Sequence, residues 1–279
     1  MKRSEFFLFL TLIIFLIFSC AKEPTVDELV NQMAQALGGK EQLAAVKDMV
    51  STWETKIKMP AGTEQQEAME KEKSEQSAEQ EAEESKAMQE QIMNVKISYK
   101  RPAKIRYDVM TPDGQTVETS AFDGTTGWKT DASGQIMDLN EAELQQMEWD
   151  AKTWVDGITN YKELGYTLEK LPDEEVEGIK YKVLKCTDNH GNVFKLYVNP
   201  QTHFMERMSG EMVTMEGKKE PGTFVMKDFK AVDGISMPHW VARLDSKNNK
   251  IWEASLKEVK INTGVEDAIF MKPQLSVVQ

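Results

Sequence analysis

The chain has 279 residues, with 34 Lys and Arg against 46 Asp and Glu, and a formal net charge of −12. That acidity argues against nucleic acid as a partner and against electrostatic docking on anionic lipid, so membrane contact has to come from an anchor or an apolar surface. The two cysteines are Cys20 and Cys186. No internal disulfide is available if Cys20 is modified, although an exported compartment would permit one.

The chain opens with Lys2 and Arg3, followed by an apolar run from Phe6 to Ser19 that ends at Cys20. This run is shorter than the ~20 residues a spanning helix needs and matches the apolar region of a cleaved export signal. Ile17-Phe18-Ser19-Cys20 has the form of a lipobox, with a branched aliphatic residue three before the cysteine and a small residue just before it. Phe18 is bulkier than is usual at its position. Cys20 is therefore the expected lipid attachment site, where two or more acyl chains give stable anchoring and one gives only marginal binding. Ala21 follows the cysteine where Asp would mark inner-membrane retention, which points to the outer membrane. The expected organisation is a lipoprotein signal peptide over 1–19, a tether over 20–24 and a single domain over 25–279.

Thr25 and Glu28 form a capping box, and Val26, Leu29, Val30, Met33, Ala34 and Leu37 recur at helical spacing, so the domain starts with an amphipathic helix that Gly38-Gly39 stops. A short helix over 40–46 follows. From Met49 onward the pattern becomes that of an antiparallel sheet, with runs bounded by Gly, Pro, Asn and Asp. Strands are expected over 49–59, 92–100, 103–111, 114–122, 126–130, 164–171, 178–187, 192–198, 203–209, 211–216, 222–230, 238–246 and 250–261. Alternation of Ile105, Tyr107 and Val109 with Lys104, Arg106 and Asp108 places one face on apolar surroundings and the other in water.

An acidic insertion over 62–91 separates the first two strands, with ten Glu against three Lys and only Met69 and Met88 as large apolar residues. It reads as a solvated, partly helical and partly disordered excursion, or alternatively as a docking arm for a basic protein partner. Asn140 and Glu143 make a second capping box. The helix they open, over 140–160, carries Leu144, Met147, Ala151, Trp154, Val155 and Ile158 on one face and is expected to cover the open side of the sheet. The fold class is thus mainly β (α+β).

Catalytic signatures are absent from the sequence. His190, His203 and His239 stand beside separate turn signals, and no HExxH, GxSxG, P-loop or CxxC motif occurs. No metal or other cofactor is expected, and the chain is not read as an enzyme. A two-carboxylate hydrolase is a third reading, for which no particular acidic pair is singled out. Cys186 lies in a strand-like run and reads as a small buried residue. Trp53, Trp128, Trp240 and Trp252 fall in expected strands, and Trp149 and Trp154 on the middle helix. A curved sheet lined by Trp, Tyr, Phe and Met suits flexible apolar ligands.

Four pieces together resemble the LolA/LolB-like periplasmic lipoprotein carrier family. They are Ala36-Leu37-Gly38-Gly39 with Leu43-Ala44-Ala45-Val46-Lys47; Phe122-Asp123-Gly124-Thr125-Thr126-Gly127-Trp128; Val176-Glu177-Gly178-Ile179-Lys180-Tyr181; and Val232-Asp233-Gly234-Ile235-Ser236-Met237-Pro238-His239. The end of the chain, Ile261-Asn262 and Ala268-Ile269-Phe270-Met271-Lys272-Pro273, is also similar to such proteins. The resemblance implies a strongly curved antiparallel half-barrel whose concave apolar face is covered by helices and takes acyl chains of lipids or lipoproteins. The insertion departs from the carriers, and an anchored chain is more similar to a stationary receiver than to a soluble shuttle.

The expected function is that of a lipid-anchored cell-envelope protein, facing the periplasm from the outer membrane, which binds palmitate-like chains and takes part in lipoprotein sorting or transfer. The alternative is a non-catalytic scaffold or sensor that recruits a protein through its rim or insertion. The ligand-binding side chains expected are Trp53, Tyr107, Trp128, Trp240 and Trp252 on the sheet, with Trp154 on the covering helix.

Overall fold

The computed structural model describes residues 23–60, 88–131, 133–214 and 217–274. The expected signal peptide, Cys20 and most of the acidic insertion lie outside the described residues. The insertion is shorter at its C-terminal end than the sequence indicated, because 88–91 already belong to a strand.

Helices α1 (Val26–Ala36) and α2 (Lys40–Ala45) lead into β1 (Asp48–Pro60). The strands that follow are β2 (Met88–Lys100), β3 (Lys104–Met110), β4 (Thr116–Phe122), β5 (Gly127–Thr130) and β6 (Ile136–Asp138). Helix α3 (Glu141–Thr153) then crosses to β7 (Thr167–Val176), β8 (Ile179–Thr187), β9 (Val193–Val198), β10 (Met205–Val213), β11 (Lys219–Val232), β12 (Ile235–Asp245) and β13 (Lys250–Ile261). A short 3-10 turn over Asp267–Phe270 closes the described chain.

Among the described residues, thirteen strands form one sheet in the order β6-β5-β4-β3-β2-β1-β13-β12-β11-β10-β9-β8-β7. Two antiparallel meanders, β1 to β6 and β7 to β13, are joined where β1 pairs with β13. The curved sheet does not close: β6 and β7 are its two free edges, and α3, which opens the connection from one to the other, lies over the inner face against β3, β4 and β10. This is the mainly β half-barrel that the sequence led us to expect.

Both capping boxes are present. The Thr25 hydroxyl accepts from the Glu28 amide while Glu28 accepts from the Thr25 amide at 2.7 Å, and Asn140 with Glu143 does the same at the start of α3. Helix α3 is shorter than expected, ending at Thr153, and irregular turns follow to Gly165. Gly157 there has φ of 56°, outside the helical region, and Asp156 is held by Arg101 instead of continuing the helix.

The sheet differs from the sequence reading in its ends. Residues 203–209 and 211–216, read as two strands, form the single β10, in which Gly210 pairs with both neighbours. The three-residue β6 had too little pattern to be seen, and β7 runs on through Pro172 to Val176 because it is an edge strand, where a missing N–H costs no ladder bond.

The core lies between sheet and helices in two inner parts. Leu43, Met49, Trp53, Ile97, Tyr99, Ile105, Phe122, Met147, Ala151, Val155 and Val241 pack around the junction of the meanders. Leu29 and Met33 of α1, with Trp149 and Ile158, cover Leu184, Cys186, Phe194, Leu196 and Val198. A smaller group, Tyr181, Val183 and Tyr197, packs on the outer face of β8 and β9.

Candidate ligand-binding face

Register determines which side chains share the inner face. Along β1, Met49, Ser51, Trp53, Thr55 and Ile57 stand opposite Tyr99, Ile97, Val95, Met93 and Gln91 of β2, and opposite Ile261, Val259, Leu256, Ala254 and Trp252 of β13. Directly opposed residues point to the same side, so this ladder extends the inner core along the strands. Burial falls along its β1 and β2 rows, whereas on β13 Ile261, Val259 and Leu256 are half-buried and Ala254 is buried. Met49 is 1% exposed and Trp53 5%, whereas Ile57, Met93, Val95, Val109, Phe224 and Trp252 are only half-buried. The inner face is therefore most deeply covered along β1 and β2 at the α2 end and keeps an incompletely covered apolar strip at the other.

Helix α3 sits on this face with a mixed underside. Met147 and Ala151 are buried against the sheet, yet Asp150 lies beside them. The Tyr107 hydroxyl donates to Asp150 Oδ2 at 2.9 Å and the Gln146 amide donates to Oδ1 at 2.9 Å. Loss of hydration pushes the Asp150 carboxyl up to about 6 and the Tyr107 phenol well above its ordinary value. Glu118, opposite Val109, is also raised by burial, with Lys129 opposing and Glu143 reinforcing the shift. A helix that buries a carboxyl against an apolar sheet is held less firmly than an apolar one would be.

The closed end is clamped by Arg101. Its guanidinium donates two bonds of 2.7 Å to Asp156, and further bonds to the carbonyls of Val46 at 2.6 Å and Leu43 at 2.8 Å. One side chain thereby ties α2 to the turns after α3. Sequence reading missed this arginine because its four acceptors are far away along the chain.

Of the six aromatics expected on the inner face, Trp53, Tyr107, Trp154 and Trp252 are there. The Tyr107 and Trp154 rings meet edge-on at 6.3 Å, and Trp252 meets Phe224 at 5.7 Å. Trp128 and Trp240 are not, and the expectation is corrected for both. Trp128 stands opposite Ala121, next to the inward Phe122, and so points outward, where its indole donates to the Phe270 carbonyl at 2.9 Å beneath Arg106. Trp240 pairs with Lys227 and Ser255, whereas inward Val241 pairs with Met226 and Ala254. Its ring lies on the outer face under the Lys227 ammonium, at 5.7 Å. One residue of register reverses the side on which a strand residue stands.

Two depressions lie elsewhere. A groove of about 400 Å³ runs where Gly210 and Gly222 stand opposite each other, bordered by Ser209, Thr223, Ser246 and Asn248, and a space of about 10 Å³ lies under α3 beside Trp149 and Phe194. Neither touches any of the six aromatics. Among the described residues no group of three or more His, Cys, Asp or Glu is placed to hold a metal ion. His190 contacts Glu148 at 2.7 Å and His239 contacts the Met237 carbonyl at 3.1 Å. Cys186 is fully buried among Leu184, Phe194 and Leu196, and its thiol is pushed up to about 12.

No family model matches the chain, and no curated protein does so. Solved structures share its fold. A LolA superfamily protein from Nitrosomonas europaea superposes with a TM-score of 0.56 at 13% identity, covering 90% of this chain and 99% of that one. A DUF1329 family protein from Desulfovibrio piger gives 0.56 at 12% identity over 89% and 98%. A putative outer membrane lipoprotein-sorting protein domain from Vibrio parahaemolyticus gives 0.50 at 14% identity over 88% and 95%. The chain has the LolA-like fold.

Proposed function

We propose, from that fold, that this protein is a lipid-anchored component of the cell envelope that takes acyl chains of lipids or lipoproteins against its inner face. The observation that carries this reading is the half-buried strip Ile57, Met93, Val95, Val109, Phe224 and Trp252, continuous with the buried core and bordered by a helix with a carboxyl beneath it. Such a strip needs no polar recognition to hold a hydrocarbon. At ~0.8 kcal/mol per methylene, a palmitoyl-sized chain laid fully on it gains on the order of 10 kcal/mol before ordering costs. Chain entry starts at the open end and proceeds by displacement of α3, whose Asp150 resists burial in its charged form.

Cys20 supplies the anchor in this reading, and Ala21 directs it to the outer membrane. Two structural features support a binding role over catalysis: the inner face presents many aromatic and aliphatic groups, and the polar groups beneath α3, Tyr107, Asp150 and Gln146, are already bonded to one another. Uptake of a fluorescent fatty acid tests the assignment. Val95→Asp puts a charge in the strip and should reduce uptake at least tenfold, whereas Trp240→Asp, on the outer face, should leave it within about twofold, the difference expected from burying or exposing one charge. Equal uptake by both variants, each shown folded by circular dichroism, would remove the inner face from the account.

The extent to which core side chains already fill the half under α1 favours a second reading, a scaffold that recruits a protein through its rim. In that case neither variant changes uptake, because none occurs.

A further inference from the structure

Lipidation of Cys20, on which this inference rests, decides the chemistry of the anchor. Where the anchored chain meets the domain is decided by α1. Leu29, Val30, Met33 and Ala34 are buried and Thr25 is capped, so the chain is fixed in place from residue 25 onward. Cys20 precedes Thr25 by five residues, a reach of at most about 17 Å. Glu23 shortens it further. Its carboxylate pairs with Lys170 of β7 and, at 3.8 Å, with Lys182 of β8, while the Lys170 ammonium also lies 3.4 Å from the Pro24 carbonyl. With these contacts made, Cys20 stands three residues before the held Glu23, a reach of at most about 10 Å.

Lys170 and Lys182 stand opposite Leu184 and Val198, which belong to the inner core, so the tether leaves on the inner side of the free edge β7. We infer that this edge, with the start of α1, is the side of the molecule that rests against the phospholipid headgroups. Charge agrees with that placement. Although the whole chain is strongly acidic, four of the carboxylates around the exit are matched by a lysine, Glu23 by Lys170, Asp27 by Lys162, Asp173 by Lys182 and Glu169 by Lys185, and Glu28 is taken up in the capping box with Thr25. Approach to an anionic surface is therefore opposed less here than an unpaired acidic surface would be. The seam of the half-barrel at β13 is six strands away from β7, about 29 Å along the sheet at ~4.8 Å per strand.

The test uses the full-length lipidated protein in phosphatidylethanolamine and phosphatidylglycerol vesicles containing a headgroup-chelated nickel lipid as a short-range quencher. Single thiols are introduced by Glu175→Cys on β7 and Glu258→Cys on β13, both exposed positions, and labelled with a fluorophore. Buried Cys186 does not compete for label. The label at 175 should be quenched several-fold more than that at 258. Equal quenching, or stronger quenching at 258, would overturn the orientation. An insertion of about ten Gly and Ser residues between Ala21 and Lys22 should remove the difference, since a flexible linker lengthens the reach; a difference that survived it would show that the short tether is not the cause. Intact mass of the same preparation separates the two claims. A Cys20 without acyl groups sinks the anchor itself, whereas an acylated Cys20 with equal quenching sinks only the orientation.

Discussion

At the scale of single residues, Asp150 carries the most specific consequence. Its carboxyl titrates near 4 when the chain is unfolded and at about 6 in the folded protein. Below the unfolded value both states are protonated and the group costs nothing. As pH rises through the window from 4 to 6 the unfolded state ionises first, so stability is lost, and above 6 the loss is constant. Asp150→Asn should therefore raise the melting temperature at pH 7.5, by the equivalent of roughly 1–3 kcal/mol given the partial exposure of the residue, and flatten the pH dependence between 4 and 6. Thermal melts of the two proteins at pH 4.5 and 7.5 check this; a variant less stable at pH 7.5 would mean that the Tyr107 and Gln146 bonds outweigh desolvation. The sequence did not show this carboxyl, because an acid on a helix reads as solvated until its neighbour across the fold is known. Trp128 and Trp240 were misread for a different reason: their strands were legible, but whether a given residue faces inward depends on register, which the partner strands set.

At the scale of elements, local signals were the reliable ones. Capping residues, Gly38-Gly39 and turn dipeptides are read within a few residues, and both capped helices begin where those residues place them. Gly38 is required as well as permitted: its φ is 122°, and a side-chain carbon there would lie 2.2 Å from the Gly234 carbonyl, so α1 can turn against the β11–β12 hairpin only through a glycine. The end of α3 was not legible, since it is set by the distant Arg101. Arg101→Ala leaves Asp156, a buried residue, without its cation and removes the donors to two carbonyls of α2 and its C-terminal cap. A loss of roughly 2–4 kcal/mol is expected in urea unfolding, reduced from the cost of breaking a fully buried pair by the part-exposure of the guanidinium. A loss below about 0.5 kcal/mol would class the pair with ordinary surface ion pairs.

At the scale of the whole molecule, the spacing of strand and turn signals was enough to show an antiparallel sheet with covering helices, and the resemblance carried by short motifs gave its curvature. What could not be read was the join. β1 pairs with β13, nearly the length of the domain away, and this long-range pairing makes one sheet of two meanders and leaves β6 and β7 as its edges. The shape that results has one buried half under α1 and one half with a strip left partly open, and the proposed function rests on that inequality. Native mass spectrometry of the protein extracted from its own membrane tests it most directly. The account predicts a non-covalent lipid mass that remains with the wild-type protein and is absent from Val95→Asp; wild-type protein repeatedly recovered without bound lipid, at the same mass as the variant apart from the substitution, would contradict it.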